Sequence, residues 1–175
     1  MKQMRFRTFG PFVVNADIPN KSEDLGRKFN AAKEGLNDAS GVYIFAYRGE
    51  HLLIPIYVGK AQKQSFGSRI AQHLNGLKFA DFLDDRAREL NIMLIARVNL
   101  EDKFLFVKVA EEDEFTIISE LESSLIGECA SVNRNLLNLH KLKHPEAVHV
   151  PGYLSTPDSE DLSARELARM LCKEF

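Results

Sequence analysis

The sequence predicts a single mixed α/β (α+β) domain. Three observations carry this. Val42–Tyr47 and Leu52–Val58, rich in β-branched and aromatic residues, flank Arg48-Gly49-Glu50 in the manner of a β-hairpin. Amphipathic stretches with helical spacing stand before, between and after the strand-like runs. A chain of 175 residues with ordinary charged and apolar fractions fits one domain with a real core.

Residues 1–20 are mixed, with Phe9–Val14 a short strand that Gly10-Pro11 breaks. Ser22 is placed to cap a helix running to about Leu36, with Leu25, Phe29, Ala32 and Leu36 on one packing face. Asn37–Ser40 is a turn. In the hairpin, Tyr43 is expected opposite Tyr57 and Tyr47 opposite Leu53, leaving a five-residue loop. Both phenols then project from one face, with Cβ atoms about 5 Å apart. Pro55 inside the second strand implies an edge position or a bulge.

Gly59 ends that strand, and Lys60–Gln64 is a polar loop. Ser65 caps a helix to about Leu74 that Gly76 stops; Phe66, Ile70, Leu74 and Leu77 form its apolar stripe. Arg69 and His73, four apart, share a neighbouring face. Residues 77–91 read as a helix with contacts at Leu77, Phe82 and Leu90, and Ile92–Val98 with Phe104–Ala110 as a second hairpin. The acidic run Glu111–Glu114 favours the N-terminus of a helix that continues to about Ala130. On it, Ile118, Leu121, Leu125, Ile126 and Cys129 fall on one arc; Glu122 lies in the middle of that arc and Glu120 does not. An ionised carboxylate on a core-facing stripe is costly without a partner, which is either a cation of the chain or a metal. Asn133–Asn138 is a turn followed by a short extended piece, His140–Val150 is basic and irregular, and Pro151–Ser159 reads as a linker. Asp161–Phe175 is a last amphipathic helix whose Leu162, Leu167, Met170 and Leu171 suit docking on the core or on a partner, the core being the more common outcome.

No apolar run approaches the length of a membrane span, and Lys2, Arg5 and Arg7 have no apolar core behind them, so no secretory signal is expected. Cys129 and Cys172 lack metal or redox spacing, which points to free thiols and a cytoplasmic setting. The net charge of −2 is unevenly spread. Residues 1–75 hold 11 basic against 6 acidic side chains, while residues 76–130 hold 6 against 13. A polyanionic partner would favour the first half, without being demanded by it.

That half also holds Tyr43, Tyr57, Lys60, Arg69 and His73. Arg69 offers a fork of donors suited to a phosphate and to the charge that builds on it. Lys60 suits either a phosphate or the lowering of a nearby phenol's pKa, and a phenol so lowered can take a proton from water. Glu122 suits one hard divalent cation with waters filling its other positions. A two-metal nuclease needs several convergent carboxylates and this set offers one; no phosphate-binding loop, zinc spacing or nucleophile triad is present. Single-metal phosphodiester hydrolysis uses every member. Taken singly, each residue has an ordinary structural reading as a strand aromatic, a solvated lysine or an exposed helix face.

Gly41-Val42-Tyr43 and Tyr57-Val58-Gly59 resemble the two signature triplets of the GIY-YIG nucleases. Lys60 follows the second triplet; Arg69 and His73 resemble the R-x-x-x-H of that family's first catalytic helix. Leu121-Glu122-Ser123-Ser124-Leu125-Ile126 resembles the segment around its metal-binding glutamate, and Asn138 its terminal asparagine, a role for which Asn133 and Asn135 also stand near. The resemblance covers about Ser40 to Asn138. It implies a central three-stranded antiparallel sheet flanked by helices, with helical additions at both ends. The organisation it suggests is an N-terminal extension with one helix over 1–39, a nuclease core over 40–145, and a linker with a C-terminal helix packed on the core over 146–175. It further implies Mg2+- or Mn2+-dependent cleavage of DNA. Tyr43 or Tyr57 would act as general base or water-positioner helped by Lys60, and Arg69 would stabilise phosphoryl charge. His73 would assist with phosphate or proton transfer, Glu122 would bind the metal, and Asn138 would orient the site. The expected protein is an endonuclease of a restriction, phage-defence or mobile-element kind, able to act as a homodimer. The rival is a non-catalytic nucleic-acid-binding or protein-interaction module.

Overall fold

The computed structural model describes residues 4–15, 17–76, 89–99, 106, 115–138, 148–150 and 161–172. In chain order the elements are β1 (Met4–Val13), α1 (Lys21–Ala32), a 3-10 turn (Leu36–Asp38), β2 (Gly41–Arg48), β3 (Leu53–Ala61) and α2 (Phe66–Leu74). β4 (Leu90–Val98), α3 (Phe115–Val132), β5 (Val148–His149) and α4 (Leu162–Met170) follow. The strands form one sheet in the order β3-β2-β4-β1-β5.

The three-stranded sheet expected from the sequence is therefore corrected: four long strands stand side by side, and the two-residue β5 adds in parallel to β1. The added long strand is β1, ten residues paired antiparallel with β4. Met4, Phe6 and Thr8 alternate inward against Arg5 and Arg7, the period of a half-buried strand. Gly10-Pro11 does not break it. The register with β4 shifts between Phe9 and Phe12, and the pair sits inside that irregularity.

The hairpin forms with another register. Tyr43 lies opposite Gly59, Phe45 opposite Tyr57, and Arg48 opposite Leu53, which leaves a four-residue loop. A shift of two residues preserves the face, so Tyr43 and Tyr57 still project together, now as a diagonal pair. Pro55 stands where the pairing shifts by one residue, and β3 is also an edge strand, so both conditions that proline sets are met.

The sheet is covered on both sides. One face (Val42, Ile44, Val58, Met93, Ile95 and Phe6) packs under α3 and α4. The other (Tyr43, Phe45, Tyr57, Ile92 and Leu94) packs under α1 and α2. β4 is buried along nearly its whole length, as a strand covered on two faces must be. Gly41 opens β2 with φ of 150°, a backbone region L residues rarely adopt, and a Cβ there would drive into the carbonyl oxygen of Ile95 on β4. The first glycine of the hairpin is thus required by close approach of two backbones.

Helix ends differ in detail. α1 begins at Lys21 with Asn20 at the cap position, and it stops at Ala32; Leu36 reaches the core from the 3-10 turn, while Ala32 is exposed. Ser65 does cap α2, accepting from the Ser68 N–H at 3.2 Å. The buried arc of α3 holds all five apolar residues expected, with Ser124 added. In α4, Leu167 and Met170 are buried, with Leu171 just beyond its end, while Leu162 is 74% exposed because the helix starts there and points it outward. Leu90 opens β4 rather than closing a helix. The remainder of the helix expected over 77–91, the acidic run and the linker lie outside the described residues, as does the Phe104–Ala110 strand apart from Phe106, which bridges Val98. No helix among the described residues is long and apolar enough to cross a membrane. Cys129 is buried and Cys172 exposed.

Candidate active site

The predicted side chains gather around β3 from both faces of the sheet. On the α2 side, β2 supplies Tyr43, β3 supplies Tyr57 and α2 supplies His73 and Arg69. The rings of Tyr43 and Tyr57 are 6.4 Å apart, and His73 lies 5.8 Å from the first and 5.1 Å from the second. Phe45 closes the cluster at 6.1 Å from His73, and Phe66 packs edge-on to Tyr43. Edge and tilted contacts at these separations are the favourable ones for aromatic rings. His73 therefore does not stand on an open face with Arg69; it lies against the phenols.

Burial pushes Tyr43 far above the ordinary phenol range, the nearby Tyr57 adds to the rise, and the Arg69 guanidinium opposes it; Glu122 raises it further. Tyr57 is also raised, again by burial first, with Arg69 pulling down and Glu122 pushing up; the Tyr43 hydroxyl is buried without a hydrogen-bond partner among the described residues. The Arg69 guanidinium opposes the rise at both phenols, while the Glu122 carboxylate adds to it from the other face of the sheet. The phenols are pushed up rather than down, so they are hydrogen-bond donors at neutral pH. The lowering of a phenol by Lys60 considered from sequence is not what this arrangement does.

The ammonium of Lys60 is engaged elsewhere. It lies 2.9 Å from Glu122 Oε2 and donates to Ser119 Oγ at 2.8 Å. Glu122 sits on α3 across the other face of the sheet, and Lys60, near the end of the edge strand and opposite Val42, projects to that same face. The Glu122 side chain is 17% exposed and that of Lys60 is 30% exposed, so neither charge is sealed from water. The partner that a carboxylate on an apolar arc demands is thus a lysine of the chain.

Four neutral residues that sequence spacing did not single out join the site. Ser119 donates to Gln62 Oε1 at 3.3 Å. Arg69 donates to Gln72 Oε1 at 3.0 Å, and the Gln72 amide donates to Gln64 Oε1 at 2.9 Å. Spacing from Arg69 would have found Gln72, three residues on along the same helix; the others gave no signal.

Asn138 has a structural task. Its Nδ2 donates to the Val58 carbonyl at 2.6 Å and its Oδ1 accepts from the Val58 N–H at 3.2 Å, closing the open edge of β3 like one residue of a missing strand. The Leu137 N–H donates to Ile56 O at 2.8 Å and Asn133 Nδ2 to Pro55 O at 2.8 Å, so the whole 133–138 segment lines that edge. Asn135 is exposed and donates its N–H to Asn133. Asn138→Ala is expected to lose about 1–3 kcal/mol of stability, since two main-chain groups lose their partner; urea unfolding checks this. Faster amide exchange at Val58 should accompany the loss.

Among the described residues, no group of three or more His, Cys, Asp or Glu converges as a ready-made metal cage. An open cleft of about 790 Å3 lies between α1 and α2, lined by Asn20, Asn30, Asn37 and Ser68 among others, and holds none of the predicted site residues. The chain matches no family model, no curated protein and no solved structure.

Proposed function

We propose that this chain is a divalent-metal-dependent DNA endonuclease hydrolysing phosphodiester bonds, akin in its site residues to the GIY-YIG nucleases. The observation that carries the reading is the gathering of two phenols and an imidazole between β2, β3 and α2, with Arg69 one turn before His73 on that helix and Glu122 paired with Lys60 at the end of the same edge strand. Arg69, partly exposed, presents its fork to a phosphate and meets the charge that builds on the phosphoryl oxygens. Tyr57, held protonated, serves as the donor that orients the attacking water, with the fully buried Tyr43 packed behind it; of the two roles open to the phenols, water-positioner is the better supported. His73, tilted against both rings, stands where it can assist phosphate or proton movement.

Glu122 would hold Mg2+ or Mn2+. A lone carboxylate, partly open to water and flanked by the Ser119 hydroxyl, fits a hard cation that keeps most of its own waters. Bound there, the ion would stabilise the leaving oxygen. A cytoplasmic setting, a restriction, phage-defence or mobile-element role and homodimeric assembly belong to the same proposal.

One observation favours a second reading. The Lys60–Glu122 ion pair is also what an internal salt bridge of a non-catalytic nucleic-acid-binding module would look like. Incubation of the folded protein with supercoiled plasmids of varied sequence and methylation, in Mg2+ or Mn2+, separates the two. The nuclease gives nicked or linear products, and Arg69→Ala slows their appearance by about 10²–10³-fold. Salt-dependent binding without cutting in either metal supports the module and overturns the nuclease.

A further inference from the structure

We propose that in the metal-free protein the ammonium of Lys60 stands in the place of the divalent cation, and that Ser119 is a further oxygen donor of that cation site, oriented by Gln62. The inference rests on the reading of Glu122 as a metal-binding carboxylate.

A cation is already bound at Glu122, and it is the chain's own. Lys60 Nζ has a carboxylate oxygen at 2.9 Å and a hydroxyl oxygen at 2.8 Å, and the hydroxyl donates a hydrogen bond to the Gln62 amide oxygen at 3.3 Å. Anionic and neutral oxygens of this kind are the donors a hard divalent ion takes. Ser119 and Glu122 are three apart on α3 and so share a face. With its proton directed to Gln62, the Ser119 hydroxyl turns a lone pair to whatever cation occupies the place of the ammonium.

An ammonium and a divalent ion cannot both press on the same carboxylate oxygen. Metal loading must therefore evict Lys60. Eviction meets little resistance, because the lysine is on an edge strand and its side chain is 30% exposed. The freed ammonium then has the substrate phosphate as its next anionic partner. Lys60 is thus withheld from DNA while the metal is absent and presented when it arrives. This reverses the usual expectation for a basic residue in an active site: removing it should strengthen metal binding.

Mn2+ binding to the full chain without DNA is the test. It is followed by free-Mn2+ electron paramagnetic resonance and by paramagnetic broadening of the amide signals of residues 119–122. Lys60→Met is expected to bind Mn2+ about tenfold tighter than wild type, the order expected when a partly exposed ion pair no longer competes. Adding Ser119→Ala to Lys60→Met should weaken binding several-fold, and Glu122→Gln should abolish it. The amide spectra report whether each variant is folded. If Lys60→Met binds no tighter while Glu122→Gln still abolishes binding, the stand-in role is overturned and the metal site survives. If Ser119→Ala leaves the Lys60→Met affinity unchanged, Ser119 is not a donor. If Glu122→Gln binds like wild type, or neither wild type nor Lys60→Met binds at all, the metal site itself is overturned.

Discussion

Glu122→Gln is expected to cut DNA at less than about one-thousandth of the wild-type rate while keeping its affinity for DNA within about threefold. Glutamine has nearly the volume of glutamate and still accepts hydrogen bonds, so the packing of α3 on the sheet is left in place. What disappears is the negative charge. A cation poised on developing charge supplies several kcal/mol of transition-state stabilisation, and each 1.36 kcal/mol is a factor of ten. DNA binding does not suffer, because the substitution leaves the Lys60 ammonium without its counter-ion and adds no repulsion toward phosphate. A second readout is independent of turnover. The Glu122 charge adds to the rise at Tyr57, so in the variant the titration of Tyr57, followed by absorbance, should move down while burial still holds it above the ordinary phenol range. Glu120→Gln is the control. Glu120 lies about 160° further round the helix at 100° per residue, and its rate should change less than about twofold. Wild-type cutting by Glu122→Gln in Mg2+ would remove the carboxylate from the chemistry.

The hairpin, the Ser65 cap and the buried arc of α3 were legible because each depends on a local pattern: strand propensity, a capping hydroxyl and a period of 3.6. β1 was not. Its alternation is carried by Met4, Phe6 and Thr8, interleaved with Arg5 and Arg7 and followed by Gly10-Pro11, so its local signal is weak. What makes it a strand is its antiparallel partner β4, far along the chain. The register of the hairpin differs from the expected one by two residues at Tyr43: one comes from a loop of four residues where five were expected and one from the shift at Pro55, and the shared face of Tyr43 and Tyr57 is kept. At the site, charged and aromatic types drew attention by rarity. Ser119, Gln62, Gln64 and Gln72 did not, since neutral polar side chains are as common on solvated surfaces as in networks. That the carboxylate and the phenols sit on opposite faces of one sheet, with Lys60 on the carboxylate's side, is a fact of topology that no spacing along the chain reveals.

Gly59→Ala should destabilise the protein by about 2–3 kcal/mol, toward the upper range for overpacking a core. Tyr43 lies directly across the hairpin from Gly59, and its ring is laid over that residue. A Cβ on residue 59 would come to 2.5 Å from Tyr43 Cζ and 2.8 Å from Cε2, distances real Cβ atoms do not show. The ring has little freedom to retreat. Tyr43 is fully buried and hemmed by Phe45, Phe66, Tyr57 and His73, at ring separations of 5.8, 6.4, 6.4 and 5.8 Å. β2 is itself held between β3 and β4, so the strain falls on the β2–β3 seam, next to Tyr57 and Lys60. Urea unfolding measures the loss, and a double-mutant cycle assigns its cause. If the clash with the ring is responsible, Gly59→Ala should cost about 1–3 kcal/mol less in a Tyr43→Ala background than in the wild type. Equal costs in the two backgrounds would place the strain elsewhere, and wild-type stability for Gly59→Ala would deny that the ring lies there. On this account the glycine that closes one triplet makes room for the tyrosine that closes the other, and the two motifs are halves of a single packing contact.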